Sequence, residues 1–233
     1  MYIEVNGVTL YYKRTGSGPA IILVHGNAQD HRIFHETAQM LKKGYTVYLL
    51  DSRSHGKSMA VKPIGYEEMA ADVAGFARAL KLQEPYFCGF SDGGIIGLLL
   101  GIRYPGLFKK LVLCGANSYP HGLKSWWLKI FAITEIVTGD HRRQMIQKEP
   151  NITGKELRNI TVPTLILAGE KDMVREDHTR YLASMIRHSE LRILPGESHG
   201  SYIVHSKKLY YIMKKFLSAS SHQDRANQQV QGV

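Results

Sequence analysis

The stretch "YFCGFSDGGIIGLLLGIRYP", residues 86–105, decides the reading of this chain. Tyr86 to Phe90 is an apolar run of buried-strand type. Asp92 to Tyr104 carries apolar residues at helical spacing. Between them sits Ser91, with glycines at 89, 93 and 94. Gly89-Phe90-Ser91-Asp92-Gly93 is a G-x-S-x-G sequence at a strand-to-helix corner, the setting in which that pattern exposes a nucleophile. So tight a turn leaves no room for flanking side chains, which is why glycine stands on both sides. The helix that follows aims unpaired N–H groups and a positive dipole end at the corner.

The flanking sequence repeats the strand–helix rhythm. "AIILVH" (Ala20 to His25) and "TVYLLD" (Thr46 to Asp51) are continuous apolar runs, as in parallel strands covered on both faces. Tyr2 to Val5 and Thr9 to Lys13 alternate as strands about Asn6-Gly7, a hairpin dipeptide. Further strands are expected at Leu111 to Gly115, Thr164 to Gly169 and Leu191 to Leu194. Helices are expected at Arg32 to Lys42, Tyr66 to Leu80, Glu176 to Arg187 and Lys207 to Leu217. This alternation predicts an α/β fold with a mostly parallel, doubly wound sheet and helices on both faces.

One interval lacks strands. Asn117 to Ile160 reads as helices only, at Leu123 to Val137, Asp140 to Gln147 and near Lys155, where Thr153 and Glu156 have capping-box spacing. It is too long for a simple connection. The expected organisation is therefore a core of residues 1–116 and 161–217, a small helical cap at 117–160 and a polar, unpatterned tail at 218–233.

Composition narrows the function. The chain has 233 residues, 44% hydrophobic and 21% charged, and a formal net charge of +10. Its cations fall in scattered pairs such as Lys42-Lys43 and Lys214-Lys215, without an interleaved aromatic stripe. A solvated basic surface is expected rather than a nucleic-acid site. No apolar run reaches membrane-spanning length. The N-terminus has no signal-peptide pattern, and Cys88 and Cys114 sit in apolar strands as buried free thiols; a cytoplasmic location is expected.

A serine needs a base, and the base needs an orienting acid, in the chain order serine, acid, histidine. His199, in the loop "GESHGS" after a strand, is the expected base, ahead of His178, His188 and His205. Asp172, just past the strand in "LILAGEKDMV", is the expected acid, with Glu170 its competitor. Oxyanion donors are expected from the backbone N–H groups of Asp92 and of Asn27, where Gly26 lets the chain approach. No metal or other cofactor is called for.

With these residues assembled, the chain resembles the α/β-hydrolase superfamily from Tyr2 to Leu217. The resemblance rests on "VHGN" (24–27), "DSRSHGKS" (51–58), "GFSDGG" (89–94), "GEKD" (169–172) and "ESHG" (197–200). Ser54 departs from it, since the loop of that family usually has glycine there. "HGN" is also similar to haloalkane dehalogenases, which carry aspartate where this chain has Ser91. Within the superfamily the stretch 89–120 looks most like the biphenyl hydrolase-like branch, which includes valacyclovirase.

The resemblance implies a serine hydrolase of carboxylic esters working through an acyl-enzyme, with small or α-amino-acid esters as candidate substrates. In that branch an acid after the nucleophile holds a substrate amine, a role that maps onto Asp92. A helix-end or pocket-shaping role is its alternative. Leu123, Trp126, Trp127, Ile130, Phe131 and Val137 are expected near one face of a cap helix. They either pack on the sheet domain or line an apolar pocket, with Trp126, Trp127 and Ile130 as substrate contacts. Two alternatives stand beside esterase activity: carbon–carbon bond hydrolysis of dienoate-type diketones, and ligand binding with little turnover. The partner expected is a small molecule.

Overall fold

Adjacent residues in the central strands belong to opposite halves of the core. The structure, a computed structural model, describes residues 1–219 apart from the side chain of His141; the expected tail from 220 onward lies outside the described residues. In β3 (Ala20–Val24), Ile21 and Leu23 point into one apolar layer and Ile22 and Val24 into the other. That period of two, with all four buried, is why the run reads as continuously apolar. Fully burying each such side chain contributes roughly 1.5–3 kcal/mol.

The described strands form one eight-stranded sheet in the order β1-β2-β4-β3-β5-β6-β7-β8. Here β1 is Tyr2–Val5, β2 Val8–Thr15, β4 Thr46–Leu50, β5 Tyr86–Phe90, β6 Lys110–Cys114, β7 Thr164–Lys171 and β8 Ser189–Ser198. The pairs β1–β2 and β2–β4 are antiparallel; every other neighbouring pair is parallel. The hairpin places Asn6 and Gly7 at positive φ, as their dipeptide requires.

Helices cover both faces. Helices α2 (Tyr66–Ala79) and α3 (Asp92–Arg103) bury Met69, Val73, Ile96 and Leu100 against one side. Helices α1 (His35–Leu41) and α8 (Lys208–Ser218) bury Leu41, Leu209, Met213 and Leu217 on the other. Helix α7 is Glu176–Met185. The loop after β4 is held by Asp51, which accepts from the backbone N–H groups of His31 and Lys57. Ser54 in that loop has φ 60°, which accounts for the glycine usual at this position in the resembled family. Its hydroxyl exchanges hydrogen bonds with both the N–H and the carbonyl of Val61.

Between β6 and β7 run α4 (Ser125–Thr138), α5 (His141–Lys148) and α6 (Gly154–Leu157). Thr153 and Glu156 form the expected capping box on α6. Helix α4 departs from expectation. None of its residues is fully buried, and Trp126, Ile130, Ile133 and Val137 are exposed, Val137 at 78%. The reason is spacing. Those four positions, at i, i+4, i+7 and i+11, share one helix face, and that face is left exposed by the described residues. Phe131 and Leu128 lie away from it and pack with Leu123, Ile146 and Val174.

Candidate active site

The corner after β5 holds Ser91 at φ 54° and ψ −112°, a conformation that costs of order 1–3 kcal/mol for a non-glycine residue. Three contacts over-determine it. The Ser91 N–H donates to the Cys114 carbonyl at 2.8 Å, the Gly93 N–H donates to the His25 carbonyl at 3.2 Å, and α3 closes on the Ser91 carbonyl through Ile95. Glycine is compulsory on either side. A β-carbon at Gly89 would run into the Gly93 carbonyl, and one at Gly93 into the Val24 carbonyl.

Asp172 is aimed by an irregularity where β7 meets β8, between Gly169 and Lys171. Its backbone folds back on Gly169, and its carboxylate accepts from the N–H groups of Gly169 and Val174. Strand β8 runs through Ser198 and delivers His199 at its end. The imidazole lies 4.8 Å from the Phe90 ring and over Gly115, where φ is +60° and a β-carbon would strike it.

These loops, far apart in sequence, meet above the carboxyl ends of β5, β6, β7 and β8. His199 Nδ1 is 2.6 Å from Asp172 Oδ1, and His199 Nε2 is 3.0 Å from Ser91 Oγ. Burial pushes the Asp172 pKa up, but the His199 hydrogen bond and charge and the two backbone N–H groups outweigh it, and the group ends below its ordinary value. An ionised carboxylate only accepts, so Nδ1 carries the ring proton. Nε2 is left to accept from the serine hydroxyl. Glu170, the competing acid, is exposed and accepts instead from the Gly196 N–H. His178 is buried and accepts from the Ser118 N–H, while His188 is exposed.

Asp92 opens α3 directly after the serine and Asn27 lines the same cavity; neither backbone N–H is spent on a hydrogen bond among the described residues. The Asp92 side chain is buried and doubly held. Its Oδ2 accepts from Asn27 Nδ2 at 2.9 Å and its Oδ1 from the Tyr66 hydroxyl at 2.9 Å. Burial raises its pKa to about 6, against the lowering effect of those two donors. Asn27 Nδ2 also donates to the Arg142 carbonyl of α5, tying this acid to the cap.

A cavity of about 150 Å³ opens on Ser91, Asp92 and His199. Asn27, Gln29, Tyr66 and Asn117 supply the rest of its polar wall, with Arg143 from α5. Its apolar wall is Phe90, Leu123, Phe131, Ile146 and Met173. Of the expected cap contacts, Trp126, Trp127 and Ile130 do not line it. Helix α4 contributes Phe131 there, and turns Trp126 and Ile130 to solvent. Tyr66, Arg143 and Met173 gave no signal in the sequence, because each reaches the cavity from an element whose pattern marks only a helix or loop.

Among the described residues, Asp30, His31 and Asp51 bring metal-type donor atoms within 4.8 Å of one another. Those atoms are engaged otherwise: Asp30 with Arg32, and Asp51 with His31 and the Lys57 N–H. The group braces a loop. No described helix is long and apolar enough to cross a membrane. Cys88 and Cys114 are buried free thiols.

Sequence comparison matches residues 19–135 to the family described as alpha/beta hydrolase fold. The serine hydrolase BPHL of Mus musculus is 29% identical over 250 residues, covering 92% of this chain and 85% of that one. The 3-oxoadipate enol-lactonase 1 of Acinetobacter baylyi is 23% identical, covering 94% of this chain and 97% of its own length. Among solved structures, the enol-lactonase from Burkholderia xenovorans LB400 superposes with a TM-score of 0.78 at 22% identity, over 94% of this chain and all of that one. The strand order, the serine corner and these matches agree: the chain belongs to the α/β-hydrolase family and is a hydrolase.

Proposed function

We propose that the protein hydrolyses small carboxylic esters, lactones included, through an acyl-enzyme on Ser91. The observation that carries the reading is the unbroken hydrogen-bond relay from Ser91 Oγ through His199 to Asp172, at 3.0 and 2.6 Å. Similarity to a serine hydrolase and to an enol-lactonase supports the substrate class. A lactone is an ester whose alcohol stays tethered, so the chemistry is the same.

In this reading His199 Nε2 takes the hydroxyl proton as Ser91 Oγ attacks the carbonyl carbon. Asp172 holds the imidazole in the required tautomer and stabilises its charged form. The N–H groups of Asn27 and Asp92 receive the oxyanion, and each such donor is worth about 3–4 kcal/mol in the transition state. Collapse breaks the ester C–O bond, and His199 returns the proton to the leaving alcohol. Water, deprotonated by the same nitrogen, then attacks the acyl carbonyl, and Ser91 leaves with its proton restored. The small cavity favours short acyl groups. Residues 117–160 act as the cap that roofs it, with Leu123, Phe131 and Ile146 as its apolar surface. Both oxygens of Asp92 are engaged by Asn27 and Tyr66, which supports a pocket-shaping role for this acid over capture of a substrate amine.

The test is hydrolysis of short-chain nitrophenyl esters by wild type and Ser91→Ala. The variant should lose about four to six orders of magnitude in kcat with an unchanged circular dichroism spectrum. Retained turnover in the folded variant would refute the assignment.

A further inference from the structure

Two adjacent arginines on α5 differ in one respect. The guanidinium of Arg142 is satisfied: it bonds both oxygens of Asp140 and reaches the Ser54 carbonyl. That of Arg143 has no hydrogen-bond or ion-pair partner among the described residues, and its Nε is fully buried. Asp140 exerts its field on Arg143, but both its oxygens are taken by Arg142. Arg143 lines the cavity that holds Ser91 and His199, beside the apolar side chains of Leu123, Phe131, Ile146 and Met173.

A guanidinium cannot relieve this position by losing its proton. Buried donors left without acceptors are destabilising, and the cost is greater for a charged group. Arg143 is half-buried, with only its Nε fully shielded, so an anion arriving there would be screened less than at an open surface. The other charged wall residue, Asp92, has both oxygens engaged by Asn27 and Tyr66. Those two donors are neutral and Asp92 keeps its charge, so Arg143 differs from it in having side-chain donors with no partner among the described residues. A planar fork of N–H donors pairs best with a carboxylate, in bidentate geometry.

We infer that Arg143 is a specificity-determining residue that binds a carboxylate on the substrate, so that the preferred substrates are half-esters or lactones carrying a free carboxylate close to the scissile carbonyl. This rests on the hydrolase reading above. Ser91 and Arg143 line the same cavity of about 150 Å³, so a small ligand that fills it would meet both. The carboxylate would sit across the cavity from the reacting carbonyl and anchor the acyl portion while Ser91 attacks.

The experiment compares the nitrophenyl half-esters of succinate and glutarate with nitrophenyl butyrate and valerate, which match them in length without the charge. Wild type should favour the anionic members at least tenfold in kcat/KM. Arg143→Met, which keeps the length and apolar stem, should abolish that preference with a ten- to hundredfold loss on the half-esters, on the scale of a charged hydrogen bond. The readout is the ratio of kcat/KM on each half-ester to that on its neutral partner, which should fall to about one in the variant whatever its rate on the neutral esters. Arg143→Lys should keep part of the preference. Equal wild-type rates for charged and neutral partners, or a preference that survives in a folded Arg143→Met, would overturn the assignment.

Binding without chemistry separates this from failure of the hydrolase reading. Monomethyl glutarate should raise the melting temperature of wild type, and of Ser91→Ala, more than dimethyl glutarate does, and the difference should vanish in Arg143→Met. If no ester is cleaved yet that pattern holds, the carboxylate site stands and the reaction is wrong. If esters are cleaved and the pattern is absent, the site is wrong and the reaction stands.

Discussion

The floor and the roof of the cavity obey different rules. The floor is made of strand ends, where Ser91, Asp172 and His199 are fixed by backbone hydrogen bonds, a positive φ and glycines that nothing larger can replace. The roof is made of short helices, and α4 leaves Ile133, Ile136 and Val137 more than half exposed while only Phe131 reaches the cavity. Reaction chemistry demands sub-ångström geometry and leaves few sequences able to supply it. A roof needs only to be apolar, the right size and correctly charged at a few points. On the proposed function, mechanism belongs to the floor and substrate choice to the roof.

The sharpest way to break this contrast is to damage the floor without disturbing packing. Asp172→Asn keeps the shape but removes the charge and replaces one of the two acceptor oxygens with a donor, so the His199 tautomer is no longer fixed. About a 10⁴-fold fall in kcat is expected, measured on the same nitrophenyl esters. A loss under tenfold would show that the relay is not what orients the imidazole.

A smaller effect sharpens the join between floor and roof, where Asp92 meets Asn27, Tyr66 and, through Asn27, α5. Its folded pKa of about 6 lies above the ordinary aspartate value near 3.8. The folded state therefore holds this proton more tightly than the unfolded chain. The sign follows: the group costs stability above pH 6, and the cost fades as pH falls towards 4. Asp92→Asn removes that dependence. Relative to wild type the variant should be about 2 kcal/mol better off at pH 7 than at pH 4.5, read from urea melts at both. A difference independent of pH would mean that the carboxylate is not desolvated as the structure has it.

The smallest effect belongs to the roof's outer face. Trp126→Ser and Ile133→Ser should each shift stability by no more than about 0.5 kcal/mol and leave kcat/KM within twofold, since neither side chain lines the cavity. A large loss in either would show that α4 contributes more than Phe131 to the site.

The same division explains what could be read from the chain. Buried parallel strands must be continuously apolar, so β3, β4 and β5 stood out, and the corner at Ser91 was legible because a strained turn admits only glycine beside it. Asp172 and His199 could be chosen because strand ends are where such side chains must lie. Asp172 still needed the bulge in β7 to separate it from Glu170, two residues away. The orientation of α4 was not legible: its apolar residues occupy several faces, and sequence spacing does not say which one meets the cavity. Arg143 was equally silent. On sequence it is one of a basic pair beside Arg142, and only the third dimension shows that its neighbour has taken both oxygens of Asp140.

The central claim is that Ser91 is activated by its two neighbours across space, and fluorophosphonate labelling followed by peptide mass mapping tests it most directly. The account predicts one adduct, on Ser91, formed rapidly in wild type and slowed at least a hundredfold in His199→Ala at the same pH. An unlabelled Ser91 in folded protein, or labelling that proceeds equally without His199, would contradict it.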